Sequence, residues 1–222
     1  SSDLGERGGV LVIRAETLTI DAGGAIEVSG LGYAGGPTGS AYNDDGYQGE
    51  SVEGPGIGGS PSGSGYNEAN GAWAANLGGG GGEIGGGGGE HAGGATPGIS
   101  WKGTSMAPEA GEVLGEPELE RPLFGSGGGG VVQLGGSSGP GGAGGGLLIL
   151  SVTRAEVAEG GRVAASGEDG SAWAAGTWTY GAGGGAGGSL ILEAQTLVLG
   201  AGTVEALGGA GYADVEIGRA HV

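Results

Sequence analysis

A pattern of apolar residues used three times constrains this chain more than any other feature. Residues 10–30 read VLVIRAETLTIDAGGAIEVSG, residues 147–167 read LLILSVTRAEVAEGGRVAASG, and residues 189–208 read SLILEAQTLVLGAGTVEALG. Each unit follows a Gly-Gly pair and runs on into another glycine-rich stretch. Aligned by column, Leu11, Leu148 and Leu190 coincide, then Ile13, Leu150 and Leu192, then Ala15, Val152 and Ala194. This period of two belongs to a strand with one buried face. Arg14, Ser151 and Glu193 fall at outward positions. The phase then slips by one residue, as a corner requires, and resumes at Leu18, Ala155 and Leu197, followed by Ile20, Val157 and Leu199. A glycine turn follows, and then a short strand with Ile26, Val163 and Val204, and Val28, Ala165 and Ala206. The third unit is one residue shorter at the turn.

A unit of this size cannot bury its apolar face alone, whereas stacked units share a core through ladders of equivalent residues. The expected fold is therefore all-β: stacked strand repeats of a β-solenoid or sandwich-like kind, in a single glycine-rich domain spanning residues 1–222. The insertion of residues 31–146 between the first two units is the departure from a regular repeat.

Glycine fills the rest, with 65 residues of 222. Runs cover Gly78–Gly82, Gly85–Gly89 and Gly127–Gly130, and interrupted runs cover 139–146 and 181–188. Isolated polyglycine loses much entropy on ordering, and a flexible linker is its ordinary reading. These runs directly abut apolar strands, however. Side-chain-free extended segments with three residues per turn can pack side by side and exchange backbone hydrogen bonds, so packed polyglycine-II-type segments are expected. Residues 31–71, rich in Gly, Ser, Tyr, Asn, Asp and Pro, read as a long loop. Residues 95–124 carry Pro97, Pro108, Pro117 and Pro122, which exclude long helices and central strands. Their apolar residues, Phe124 among them, are expected to cap the glycine core. Ala213, Val215 and Ile217 alternate and suggest a final strand near the end, and the native chain could continue past Val222.

Seven basic against 25 acidic residues give a net charge of −18. That field repels a phosphate backbone and an anionic membrane surface, so nucleic acid is not an expected partner. The longest apolar runs, such as residues 147–150, are far too short to span a bilayer. Cysteine is absent, which removes disulfides, thiolate metal sites and cysteine nucleophiles.

No residue constellation reads as an active site, and the chain is expected not to be an enzyme. GTSMAP at 103–108 matches the serine motif of subtilisin-like proteases, but the partner motifs are missing and His91 lies too close to Ser105 for that arrangement. His91 and His221 have no recognisable zinc spacing. No cofactor is expected. Among metals, calcium is the candidate, with Asn43-Asp44-Asp45-Gly46 and Glu168-Asp169-Gly170 as the best carboxylate clusters, although neither fits a known loop spacing. Trp73, Trp101, Trp173, Trp178 and Tyr180 are candidate platforms for a sugar ring or a protein partner; the alternative is that they cover a lattice that has no side chains of its own.

The repeat G-G-x-L-x-I-x-A-x-T-L-x-I followed by G-x-I-x-x-x-G, together with residues 113–130, resembles units of bacterial secreted glycine-rich surface proteins of the myxobacterial type. More loosely, it resembles rungs of filamentous-haemagglutinin-type β-helical adhesins. The polyglycine runs are similar to those of phage tail-tip adhesins and of anaplastic-lymphoma-type receptor kinases. The resemblance implies export to the cell surface and a structural or adhesive role. An open stack of such units has unpaired edge strands at both ends, which favours head-to-tail joining into a fibre or larger assembly. The alternatives are a carbohydrate- or receptor-binding module and a polysaccharide-active β-helical enzyme.

Overall fold

The computed structural model describes residues 9–37, 49–52, 122–132, 138–175, 178–201 and 203–211. These residues contain strands and no helix. The three repeats form the long strands β1 (Val10–Ile20), β5 (Leu147–Val157) and β9 (Ser189–Leu199), and the short strands β2 (Ala25–Glu27), β6 (Arg162–Ala164) and β10 (Thr203–Glu205). The long strands make one parallel sheet in the order β1-β5-β9, and the short strands make a second in the order β2-β6-β10. Two antiparallel pairs join β3 (Val131–Val132) to β4 (Ser138–Gly139) and β7 (Ala172–Ala175) to β8 (Trp178–Gly181).

The register is the one the column alignment requires. Leu11 pairs with Leu148 and Leu148 with Leu190, Ile13 with Leu150 and Leu150 with Leu192, and Ile26 and Val204 both with Val163. The insertion does not separate the units, because β1 lies directly against β5. The phase slip has a structural counterpart, though not a break between strands. Each long strand is continuous, but the ladder skips Glu16, Thr153 and Gln195 in all three units. In β5 the consequence is two successive exposed residues, Thr153 and Arg154, between buried Val152 and Ala155.

The turns that follow explain the glycine pairs. Gly24 donates to the Asp21 carbonyl and Gly161 to that of Ala158, closing four-residue turns. Their third residues, Gly23 and Gly160, have φ of 79° and 76°, a region that costs an L-residue with a side chain roughly 1–2 kcal/mol. Gly23 N–H also donates to the Gly160 carbonyl at 3.1 Å, so the turns stack along with the strands.

One apolar cluster joins the two parallel sheets: Ile20, Val28, Leu148, Leu150, Val157, Val163 and Ala165, with Leu11, Ile13, Leu18, Ile26, Leu190, Leu192 and Val204 packed against it. Burial is graded across the stack. The central unit has partners on both sides, and Leu148 is 0% exposed, while Leu199 in the third unit is 48% exposed. Arg162, also central, reaches a carboxylate on each flank. Its Nη1 lies 3.0 Å from Glu27 Oε1, and its Nη2 lies 2.7 Å from Glu205 Oε1. Exposed pairs of this kind contribute at most about 1 kcal/mol each, but together they link all three units across the short-strand sheet.

Candidate functional site

Beyond the short strands the chain enters the glycine segments, whose hydrogen bonds differ from those of a sheet. A buried backbone must satisfy its N–H and C=O groups, and residues 142–146, 125–130 and 182–189 are buried. They do so by bonding to several neighbours in turn. Gly142 and Gly145 donate to Gly183 and Ala186, and Gly141 and Gly144 donate to Gly36 and Tyr33. Gly125 and Gly128 donate to Gly145 and Gly142, and Gly185 and Gly188 to Glu168 and Ala165, all at 2.7–2.9 Å. The same neighbour recurs every third residue, whereas in a β-ladder bonds recur every second.

Absence of a side chain is what allows this approach. A Cβ built at Gly144 would strike the Gly125 carbonyl, one at Gly188 the Gly146 carbonyl, and one at Gly141 the Gly128 carbonyl. The alanines that interrupt the runs, Ala143, Ala182 and Ala186, are themselves buried, so the packing accepts a methyl group at selected positions only. Residues read from sequence as the start of a long loop also belong here. Glu50 donates its N–H to Ala34 and accepts from Gly127, and Gly36 donates to Gly128. Irregular composition concealed that role, because the signal lies in backbone contacts rather than in periodic side chains.

Serine hydroxyls link the glycine segments to the strands. Ser189 Oγ donates to the Leu123 carbonyl and accepts from its N–H, both at 2.8 Å. Ser29 Oγ accepts from Ser166 N–H, and Ser166 Oγ accepts from Leu207 N–H, one step further along the stack.

Of the five candidate platform residues, Trp73 and Trp101 lie outside the described residues. The other three are brought together by an antiparallel ladder that the sequence reading did not anticipate. Trp173 pairs with Tyr180 and Ala175 with Trp178, which puts positions 173, 178 and 180 on one face of the two-stranded ribbon. A further aromatic pair was missed as a pair. Tyr33 and Phe124 meet edge to face with centroids 5.8 Å apart. Neither lies in a periodic apolar pattern, so the sequence offers no spacing signal.

Burial, and after it the nearby Glu50 carboxylate, raise the Tyr33 phenol above its ordinary value of 10.0. Folding therefore favours the protonated phenol. The stabilisation is complete below pH 10.0 and is lost as pH rises through the folded-state value. Tyr33→Phe is expected to remove this alkaline loss. Glu50→Gln is expected to lower the phenol's pKa only part of the way, because burial is the larger cause. Tyrosinate absorbance of the wild type minus that of Tyr33→Phe isolates the group; a difference titration centred at or below 10.0 would contradict the assignment.

No group of three or more metal-ligating side chains gathers among the described residues. Asp169, one of the carboxylates considered for calcium, accepts a hydrogen bond from Ala210 N–H at 2.7 Å. The 43–46 cluster, residues 103–108, His91, His221 and the 212–222 tail lie outside the described residues. No helix among the described residues is long and apolar enough to cross a membrane. Comparison with protein-family models, with curated proteins and with solved structures gives no match for this chain.

Proposed function

We propose that the chain is an extracellular structural or adhesive protein, a short β-solenoid backed by a polyglycine-II-type bundle, and a subunit of a surface fibre or larger assembly. The observation that carries this reading is the in-register stack of three equivalent units, whose outer strands β1 and β9 each pair on one side only among the described residues. Such edges are templates for continuation. The three-residue recurrence of hydrogen bonds supports the polyglycine-II-type description, since that conformation has three residues per turn. The resemblance to secreted glycine-rich surface proteins and adhesins points the same way. A net charge of −18 suits a glycine-rich surface that must stay soluble until it assembles.

Electron microscopy and sedimentation of the purified chain across a concentration series test the assembly, and antibody labelling of intact expressing cells tests the location. Elongated particles that lengthen with concentration, and surface label, are expected. Monodisperse monomers at high concentration, or label only after permeabilisation, would count against the reading.

A second reading, a carbohydrate- or receptor-binding module, draws on the shared face of positions 173, 178 and 180, since aromatic residue types suit stacking on an apolar sugar or protein surface. A glycan array with hits abolished in Trp173→Ala and Trp178→Ala supports it; an array without hits removes the carbohydrate form of it.

A further inference from the structure

We propose that a second copy of this chain docks head to tail on the open edge, β9 and β10 of one copy continuing onto β1 and β2 of the next, with Glu193 opposite Arg14. The inference rests on the structural reading above and specifies its junction. Within one copy, Arg14 pairs with Ser151 and Ser151 with Glu193. Repeating the same step once more brings the Glu193 position against Arg14 of the next copy. Both side chains are exposed and lie at the two ends of one register column, and they carry opposite charge, so the junction closes an ion pair that no single copy can form.

The apolar columns continue as well. Leu190 would meet Leu11 and Val204 would meet Ile26, so each inward contact across the junction matches one already made inside the copy. Stacking buries surface that is now half open, since residues at both ends, such as Val10 at 51% and Leu197 at 44%, are exposed. Because the surfaces joined are different, the contact is heterologous, and repetition produces an open filament rather than a closed dimer.

The same register predicts where the junction is weak. Glu205 would come to lie beside Glu27. Inside a copy these carboxylates stand on either side of the Arg162 guanidinium, and at the junction no arginine stands between them. With −18 overall, repulsion between copies exceeds the single Arg14–Glu193 attraction, so association is expected to strengthen as added salt shortens the Debye length from about 30 Å at 0.01 M to about 8 Å at 0.15 M.

The chain has no cysteine, so directed disulfides report the junction cleanly. Arg14→Cys and Glu193→Cys chains, made separately and mixed under mild oxidant at 0.15 M salt, are expected to give a covalent heterodimer on a non-reducing gel, because neighbouring strands lie about 4.8 Å apart, within disulfide reach. Thr19→Cys mixed with Glu193→Cys is displaced by five residues along the strand, roughly 16 Å, and is expected to stay monomeric. All three positions are exposed, and urea melts check that each variant folds as the wild type does. Homodimers of either single-cysteine chain, or equal cross-linking of the displaced pair, overturn the junction. Oligomers in light scattering without the heterodimer overturn it while leaving the structural role standing. Monomers throughout, at every salt concentration, overturn both.

Discussion

Gly144→Ala is expected to destabilise the fold by about 3 kcal/mol or more, through overpacking against backbone that has nowhere to go. The added methyl would strike the Gly125 carbonyl. That carbonyl accepts from Tyr33 N–H at 3.0 Å, and Gly125 N–H is committed to the Gly145 carbonyl at 2.9 Å. Gly144 itself donates to Tyr33 and accepts from Gly32 at 2.8 and 2.7 Å. Any shift that relieves the clash therefore breaks buried hydrogen bonds, each adding about 1 kcal/mol or more once a group is left unsatisfied. Gly208→Ala is the matched control. Its Cβ would have only the Gly185 carbonyl nearby, at 3.6 Å, and the site is exposed. Its stability is expected to stay within about 1 kcal/mol of wild type. Urea midpoints of the two variants decide the matter: equal midpoints would mean that the glycine segments are not held at these contacts.

Leu148→Ala is expected to cost about 2–5 kcal/mol, the range for truncating a fully buried leucine. Leu148 is 0% exposed and stands in the middle of a column with Leu11 on one side and Leu190 on the other. Both neighbours are held at the backbone by the ladders that join β1 and β9 to β5, and the truncation leaves those ladders in place, so the site cannot collapse around the vacancy. Leu199→Ala provides the comparison at the edge of the stack. Leucine there is 48% exposed, and the loss is expected to be under about 1 kcal/mol for the isolated chain. Denaturant unfolding at low protein concentration, where copies stay apart, gives both values. A Leu199→Ala cost as large as that of Leu148→Ala would contradict the graded burial from centre to edge.

The three units were legible because strand periodicity is written in side chains. Leu11, Leu148 and Leu190 share a column, and parallel pairing in register is the only arrangement that puts such columns into one core while keeping Arg14, Ser151 and Glu193 outside. The phase slip was legible too, although its form was not. Sequence suggested a corner between strands, and the structure has one continuous strand whose ladder skips Glu16 and its equivalents. A one-residue change of face is all the sequence encodes, and a skipped pair achieves it as well as a break does. The outward column Val12, Ile149 and Ile191 is hidden in the sequence, since apolar residues on both faces blur the alternation.

What the sequence determined by itself was the set of units able to stack, the turns that glycine must occupy at Gly23 and Gly160, and a net charge of −18. Only the tertiary structure decided which glycine segments lie beside which, that Leu31–Pro37 and Gly49–Ser51 belong among them, and that positions 173, 178 and 180 share a face. The reason is physical. A residue without a side chain carries no periodic hydrophobic signal, so the neighbours of a glycine run are chosen by backbone hydrogen bonds and by which Cβ atoms are missing, and those choices exist only once the segments have met.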